Sequence, residues 1–368
     1  MNTIKNIEFY KHNIKHEDAG RLLEVLKSPF LSTGKVVEEF EDKLAGYLGV
    51  KYVVAVSSCT AALHLSLLAL GIASGDEVIT TPMTFMATSN AILYTGATPV
   101  FADVDRASGL IDGESVIRAT TRKTKAVLPV HLYGQVCKVE PIKRYTILED
   151  AAHCLEGEDN YCRKPGVNSD GASFSFYPTK SITSGEGGAF ATNNKVLADE
   201  VRMMRNHGMT KGAHERYGKK YQHWNMEILG YNYRMSNIQA ALLIGQIDRM
   251  DGYRQRRTEI WDLYETGFRD NEKIELISTD EHSAKLMFTI LVKNRDMVLH
   301  ELQQQGIGVA VNYRPVHLLD YYRIRFGYKE GDYPNAEYIG NRTLTLPLYP
   351  KLTDSEVEYV IEKVNRVV

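Results

Sequence analysis

One lysine is the strongest chemical candidate in this chain. Lys180 follows Phe174-Ser175-Phe176-Tyr177-Pro178-Thr179 and precedes Ser181-Ile182-Thr183-Ser184-Gly185-Glu186-Gly187-Gly188. Phe174 and Phe176 alternate with Ser175 and Tyr177, the period of a short strand with one buried face. Pro178 has no N–H for a sheet ladder and stops the strand. A lysine left at an apolar strand end loses solvent, which lowers its ammonium pKa and makes the amine a nucleophile. Read alone, it is more commonly a loop lysine in water. Three other stretches bear on the choice. Ser57-Ser58-Cys59-Thr60 enters a helix, so it is either a phosphate-type anion site or an ordinary N-cap by Ser58 or Thr60. Phe85 follows a strand and is either core or a flat stacking surface. Asp150 closes an apolar strand before Ala151-Ala152, where a carboxylate needs a cation unless it caps a helix.

One ligand uses all four places. Its phosphate meets the Cys59-Thr60 helix end, and Phe85 covers its flat ring. Asp150 keeps its ring nitrogen protonated, and Lys180 takes its aldehyde. Pyridoxal 5′-phosphate has these groups, and a Schiff-base lysine with an aspartate on the pyridinium marks its sites. Motifs for nucleoside triphosphate, dinucleotide or serine-hydrolase chemistry are absent. There is no G-x-x-x-x-G-K-[ST], no G-x-G-x-x-G after the first strand and no G-x-S-x-G.

The elements that must position these residues alternate. Two amphipathic helices are predicted over 17–27 and 36–48, with a turn at Thr33-Gly34 between them. Strands over 52–56, 77–80, 98–102, 126–130 and 145–148 then alternate with helices over 60–70, 86–93 and 114–119. Such a rhythm predicts a mainly parallel sheet covered on both faces, with ligands at the carboxyl ends of the strands. Ser236-x-x-Gln239 is a capping box for a helix carrying Leu243, Ile247 and Met250. From about 252 the make-up changes. Strands are expected over 285–292 and 308–312, and Thr353-x-x-Glu356 caps a last helix. The expected division is a large domain over 1–250 and a smaller α+β domain over 251–368. Residues 209–225 form a long polar loop whose Lys211, Lys219 and Lys220 could cover a diphosphate or stay solvated.

Composition bounds the partners. The 368 residues carry 44 Lys+Arg against 46 Asp+Glu, a formal charge of −2. That balance offers no electrostatic footing for nucleic acid or an anionic membrane. Met1–Lys15 is polar, and the apolar run Ala61–Ala73 is broken by His64 and Ser66, so a cytoplasmic protein is expected. Cys59, Cys137, Cys154 and Cys162 show no C-x-x-C spacing. Neither a disulfide framework nor a metal site is expected, and His153-Cys154 with Cys162 lacks paired ligand spacing.

The chain resembles the sugar aminotransferases of the DegT/DnrJ/EryC1/StrS family, a branch of fold-type I pyridoxal-phosphate enzymes. The resemblance rests on Ser57-Ser58-Cys59-Thr60-Ala61-Ala62-Leu63, Gly75-Asp76-Glu77-Val78-Ile79 and Thr84-Phe85-Met86-Ala87-Thr88. Pro129-Val130-His131-Leu132-Tyr133-Gly134, Glu149-Asp150-Ala151-Ala152-His153 and Phe174 through Gly188 follow in order. Gly230-Tyr231-Asn232-Tyr233-Arg234-Met235 and Leu346-Pro347-Leu348-Tyr349-Pro350 complete it. It implies that Lys180 binds the cofactor covalently and moves the substrate proton, and that Asp150 binds the pyridinium nitrogen. It places His153 by the ring's phenolic oxygen and Phe85 on the ring, with Ser175, Cys59 and Thr60 on the phosphate. Asn232 would reach in from a partner subunit, making at least a homodimer. Thr33, Tyr313 and His317 would touch substrate. The implied reaction takes an amine from L-glutamate through pyridoxamine 5′-phosphate to a nucleotide-linked keto-sugar. Where the family often reads His-Tyr-x-Pro-x-His, this chain has Asn312-Tyr313-Arg314-Pro315-Val316-His317, without the first histidine. Some relatives are sugar dehydratases with histidine at the lysine position, and a non-catalytic relative would lose Lys180 or Asp150. Both residues are present here.

Overall fold

The computed structural model describes residues 6–138, 142–209 and 223–368. Helices α1 (His16–Lys27) and α2 (Lys35–Leu48) precede a seven-stranded sheet. Its strands are β1 (Tyr52–Val56), β2 (Glu77–Thr80), β3 (Thr98–Phe101), β4 (Thr124–Leu128), β5 (Thr146–Asp150), β6 (Gly171–Ser175) and β7 (Gly188–Thr192). The order is β1-β7-β6-β5-β4-β2-β3, parallel from β6 through β3, with β7 antiparallel to both its neighbours. The carboxyl ends of β1, β2, β4, β5 and β6 therefore share one edge, where β7 begins.

Between these strands lie α3 (Cys59–Ala69), α4 (Ala87–Tyr94) and α5 (Gly113–Ala119), and α6 (Lys195–Met204) follows β7. β1 shows why the sheet is double-faced. Val53 and Ala55 pack with Phe40 and Leu44 of α2, while Val54 and Val56 pack with Leu63 of α3. Successive side chains of a strand point to opposite faces, and both faces are covered here. The Ser236 capping box starts α7 (Asn237–Ile247), which packs on α1 and α2.

α8 (Met250–Phe268) then leads to a second, antiparallel sheet in the order β10-β9-β8. Its strands are β8 (Ile274–Leu276), β9 (Phe288–Val292) and β10 (Thr343–Leu346), with α9 (Arg295–Gln304), α10 (Asp320–Phe326) and α11 (Pro334–Gly340) before β10. The last helix, α12 (Asp354–Val367), has the Thr353–Glu356 capping box. Trp261, Tyr264, Phe288, Val357 and Ile7 share one core. A mostly parallel seven-stranded sheet covered by helices, with a separate three-stranded antiparallel sheet, is the architecture expected from the sequence.

Several strand expectations differ from the structure: the strand around Phe174 is β6 and ends at Ser175, before Pro178, and that expected over 285–292 starts only at Phe288. The segment 308–312 is extended, but makes only isolated bridges: Gly308 N–H donates to the Ile7 carbonyl, and Ala310 exchanges bonds with Thr345. A Cβ on Gly308 would stand 2.5 Å from the Phe9 nitrogen, so glycine permits the N-terminal segment to lie there. β7 follows the glycine turn unannounced, because Gly-Ala-Phe-Ala-Thr is mostly small residues of low strand propensity. No helix among the described residues is long and apolar enough to cross a membrane. Residues 210–222, including Lys211, Lys219 and Lys220, lie outside the described residues.

Candidate active site

The shared edge of the sheet opens into a cavity of about 520 Å³. Cys59, Thr60, Phe85, Asp150, His153, Ser175, Lys180 and Tyr313 all line it. Chain topology alone brings the strand-end residues together, whereas Tyr313 comes from the second part of the chain.

The turn carrying Lys180 is tightly specified. Phe176 N–H donates to the Gly187 carbonyl, while Ser184 N–H and the Thr183 hydroxyl both donate to the Phe176 carbonyl. Gln246 of α7, fully buried, accepts from Thr183 N–H at 3.1 Å and donates to its carbonyl at 2.8 Å. Ser181 donates to Glu156 at 2.6 Å. Lys180 is held between these anchors, and burial pushes its pKa down to about 8, against the pull of Asp150. About one molecule in ten then carries the free amine at pH 7, against fewer than about one in a thousand for an ordinary lysine. Covalent loading of the apoprotein with pyridoxal phosphate should accordingly quicken as pH rises through about 8 and level off above it. Stopped-flow loading rates across that range check this, and a flat profile would remove the depressed pKa.

At the cavity floor, Asp150 is 5% exposed. Its Oδ2 accepts from the Thr88 hydroxyl at 2.7 Å and its Oδ1 from Ala152 N–H at 3.1 Å. Burial raises its pKa, with Thr88 opposing. Among the described residues no cationic side chain forms an ion pair with it. The Cys59 thiol lies 4.0 Å from Oδ1, and burial, then Asp150, hold that thiol protonated.

Ser58 caps α3 by accepting from Ala61 N–H at 3.1 Å, so the N-cap reading of this stretch holds for Ser58. Cys59 and Thr60 form the first turn, whose N–H groups have no partner within the helix. A Cβ on Gly188 would stand 2.3 Å from the Ser58 carbonyl carbon and 2.4 Å from the Cys59 nitrogen. Only glycine lets β7 start against this helix end, beside Ser175, its register partner in β6.

The cavity's other wall is aromatic. Phe85 is 52% exposed, which excludes the core reading, and its ring lies 5.8 Å from that of Tyr313. The Tyr313 hydroxyl is 2.9 Å from His153 Nε2. Burial raises the phenol's pKa and, with Lys180, lowers that of the imidazole well below normal. Both groups are therefore neutral, and Nδ1 of His153 is buried without a partner among the described residues. Tyr133, in a left-handed turn, donates its hydroxyl to the Asn312 carbonyl and so fixes the segment before Tyr313.

Three residues named from sequence are not among the cavity-lining residues. Thr33 donates to the Met235 carbonyl at 2.7 Å, pinning the turn between α1 and α2. His317 is fully buried with Nε2 3.0 Å from Glu337, inside a cluster containing Tyr328 and Tyr333. Asn232 is exposed, in a bridge with Asn206. Sequence reading in turn gave no role to Thr88, Gly188 or Glu156. Thr88 stands in the run Thr84-Phe85-Met86-Ala87-Thr88, but only the fold shows its bond to Asp150. Glu156 carried no local signal.

These residues fit pyridoxal phosphate. A buried carboxylate lacks a cation, a helix end is kept open by a glycine, and a lysine with a depressed pKa faces both. A fold of this type with this site defines a pyridoxal-phosphate-dependent aminotransferase. Residues 12–365 match the DegT/DnrJ/EryC1/StrS aminotransferase family, and the chain belongs to it. It is 40% identical to the spore coat polysaccharide biosynthesis protein SpsC of Bacillus subtilis, over 96% of this chain and 95% of that one. It is 34% identical to the GDP-perosamine synthase of Escherichia coli O157:H7, over 98% of each. The PMP form of Spr1654 from Streptococcus pneumoniae superposes with a TM-score of 0.92 at 30% identity, over 98% of this chain and 99% of that one. The chain is a sugar aminotransferase that uses pyridoxal phosphate.

Proposed function

We propose that this protein moves the amino group of L-glutamate to a nucleotide-linked keto-sugar, producing an amino-deoxy sugar for polysaccharide, glycan or antibiotic assembly. The observation that carries the reading is the pairing of Lys180 and Asp150 across one cavity walled by Phe85 and Tyr313. The named relatives support the substrate class: one is a spore coat polysaccharide protein and one a GDP-perosamine synthase.

When bound, pyridoxal phosphate supplies an electron sink for the carbon that gains or loses the amine. The chain does the rest. Lys180 would hold the cofactor and, once released, would take and return the proton at the substrate carbon; its depressed pKa suits that exchange near neutrality. Asp150 holds the proton on the ring nitrogen. Cys59 and Thr60 N–H and the Ser175 hydroxyl would hold the phosphate, and Phe85 would cover the ring and exclude water. His153, kept neutral and oriented by Tyr313, stands by the phenolic oxygen. Asn232 is proposed to act from a second copy in a homodimer, in keeping with its exposed position away from its own cavity. The large unit is taken as 1–250 and the small one as 251–368, with the junction at the start of α8.

A panel of 3-keto and 4-keto sugars on UDP, dTDP and GDP, each with L-glutamate, tests the reading by product mass. Mass gain of an amine on a member of the panel is expected. Amination of free amino-acid keto acids alone would overturn it.

A further inference from the structure

We infer that Glu158, Cys162 and His282 form a zinc-class metal site that bridges the two parts of the chain. One ligand atom from each lies within 4.8 Å of the others. They join a turn after β5 to the segment before β9, and Glu158 N–H donates to the His282 carbonyl at 3.0 Å. The turn is braced from within. Asp159 accepts from Tyr161 and Arg163 N–H and from Arg163 Nε, and Cys162 N–H donates to the Asp159 carbonyl. The ligands are thus held in place before any ion arrives.

The donor set selects the ion. A thiolate, an imidazole and a carboxylate together favour a borderline divalent cation, zinc above magnesium or calcium. Three protein ligands leave a fourth position for water, and the exposed Cys162 gives access. Two neighbours compete. Lys164 Nζ sits 2.5 Å from Glu158 Oε1, and Glu281 lies 3.8 Å from His282 Nε2. An incoming ion displaces Lys164 or takes the other Glu158 oxygen, so binding is reversible rather than permanent. Cysteine spacing alone could not show this site, because its histidine comes from a distant segment.

A bound ion would tie the 158–162 turn to a segment whose Ala284 N–H donates to the Gly134 carbonyl and whose Ala284 and Lys285 carbonyls accept from Arg257. It would therefore restrain motion between the two parts of the chain. The test uses the full-length holoenzyme and Zn²⁺ alone. Equilibrium dialysis should show one more zinc per chain on wild type than on Cys162→Ser or His282→Ala, whose zinc affinity falls at least about tenfold. Zinc should also protect wild-type Cys162 from maleimide, read by peptide mass, a measurement that needs no variant. Both variants should keep metal-free turnover, since neither residue lines the catalytic cavity. Equal zinc retention in wild type and both variants, or Cys162 labelling at the same rate with saturating zinc, would overturn the site.

Discussion

Replacing Lys180 by alanine is expected to lower amino transfer by about 10²–10⁴-fold or more, the span that a positioned proton-transfer group contributes. The cavity retains Asp150, the α3 helix end and the Phe85–Tyr313 wall, so the variant should still bind the cofactor non-covalently. Borohydride reduction separates the two effects. Wild type should carry the cofactor's mass on the peptide containing Lys180, and the variant should carry none. Lys180→Arg sharpens the point. A guanidinium keeps the positive charge but cannot be deprotonated, so it should be as inactive as alanine. If Lys180 served only as a cation for phosphate or Asp150, arginine would preserve much of the activity. Transamination retained in Lys180→Ala would remove the residue from the chemistry altogether.

The strand ends were legible in the sequence because β–α alternation forces them onto one edge. Cys59, Thr60, Phe85, Asp150, His153, Ser175 and Lys180 come from four strand ends and the loop after the last of these, yet all line one cavity. Local ambiguities were settled by the tertiary surroundings of each residue. Phe85 could have been core, and Lys180 could have been solvated. Residues whose role depends on a remote partner were not legible. Thr33 reads as a turn residue and serves a turn, but only the fold shows its bond to Met235. His317 ends a motif-like run, yet Glu337 and two tyrosines enclose it. Asn232 stands on the surface of its own chain, so any role in a site needs a second copy, which one sequence does not display. β7 escaped because small residues are chosen there for close approach to α3, not for strand propensity.

Another contact of this kind gives the second large effect. Arg257 of α8 is 2% exposed and donates to Glu156, 1% exposed, at 2.8 Å. It also donates to the Lys285 and Ala284 carbonyls, while the other Glu156 oxygen accepts from Ser181, the residue after Lys180. Arg257→Met would leave Glu156 ionised and buried without its cation, and should destabilise the protein by about 3–5 kcal/mol. Denaturant unfolding of the holoenzyme checks this. Glu156→Gln/Arg257→Met removes the stranded charge, and should recover a large share of that loss, because much of it is the penalty of an unpaired ion. Catalysis provides the second readout. Ser181 would lose its charged acceptor in the double variant, loosening the turn that holds Lys180. The apparent pKa for cofactor loading should then drift up from about 8 as the amine gains solvent, even where stability is restored. Recovery of stability with an unchanged loading pKa would make Arg257 and Glu156 a structural pair only. An Arg257→Met protein as stable as wild type would mean that the pair contributes nothing net, and that α8 is held by its apolar face alone.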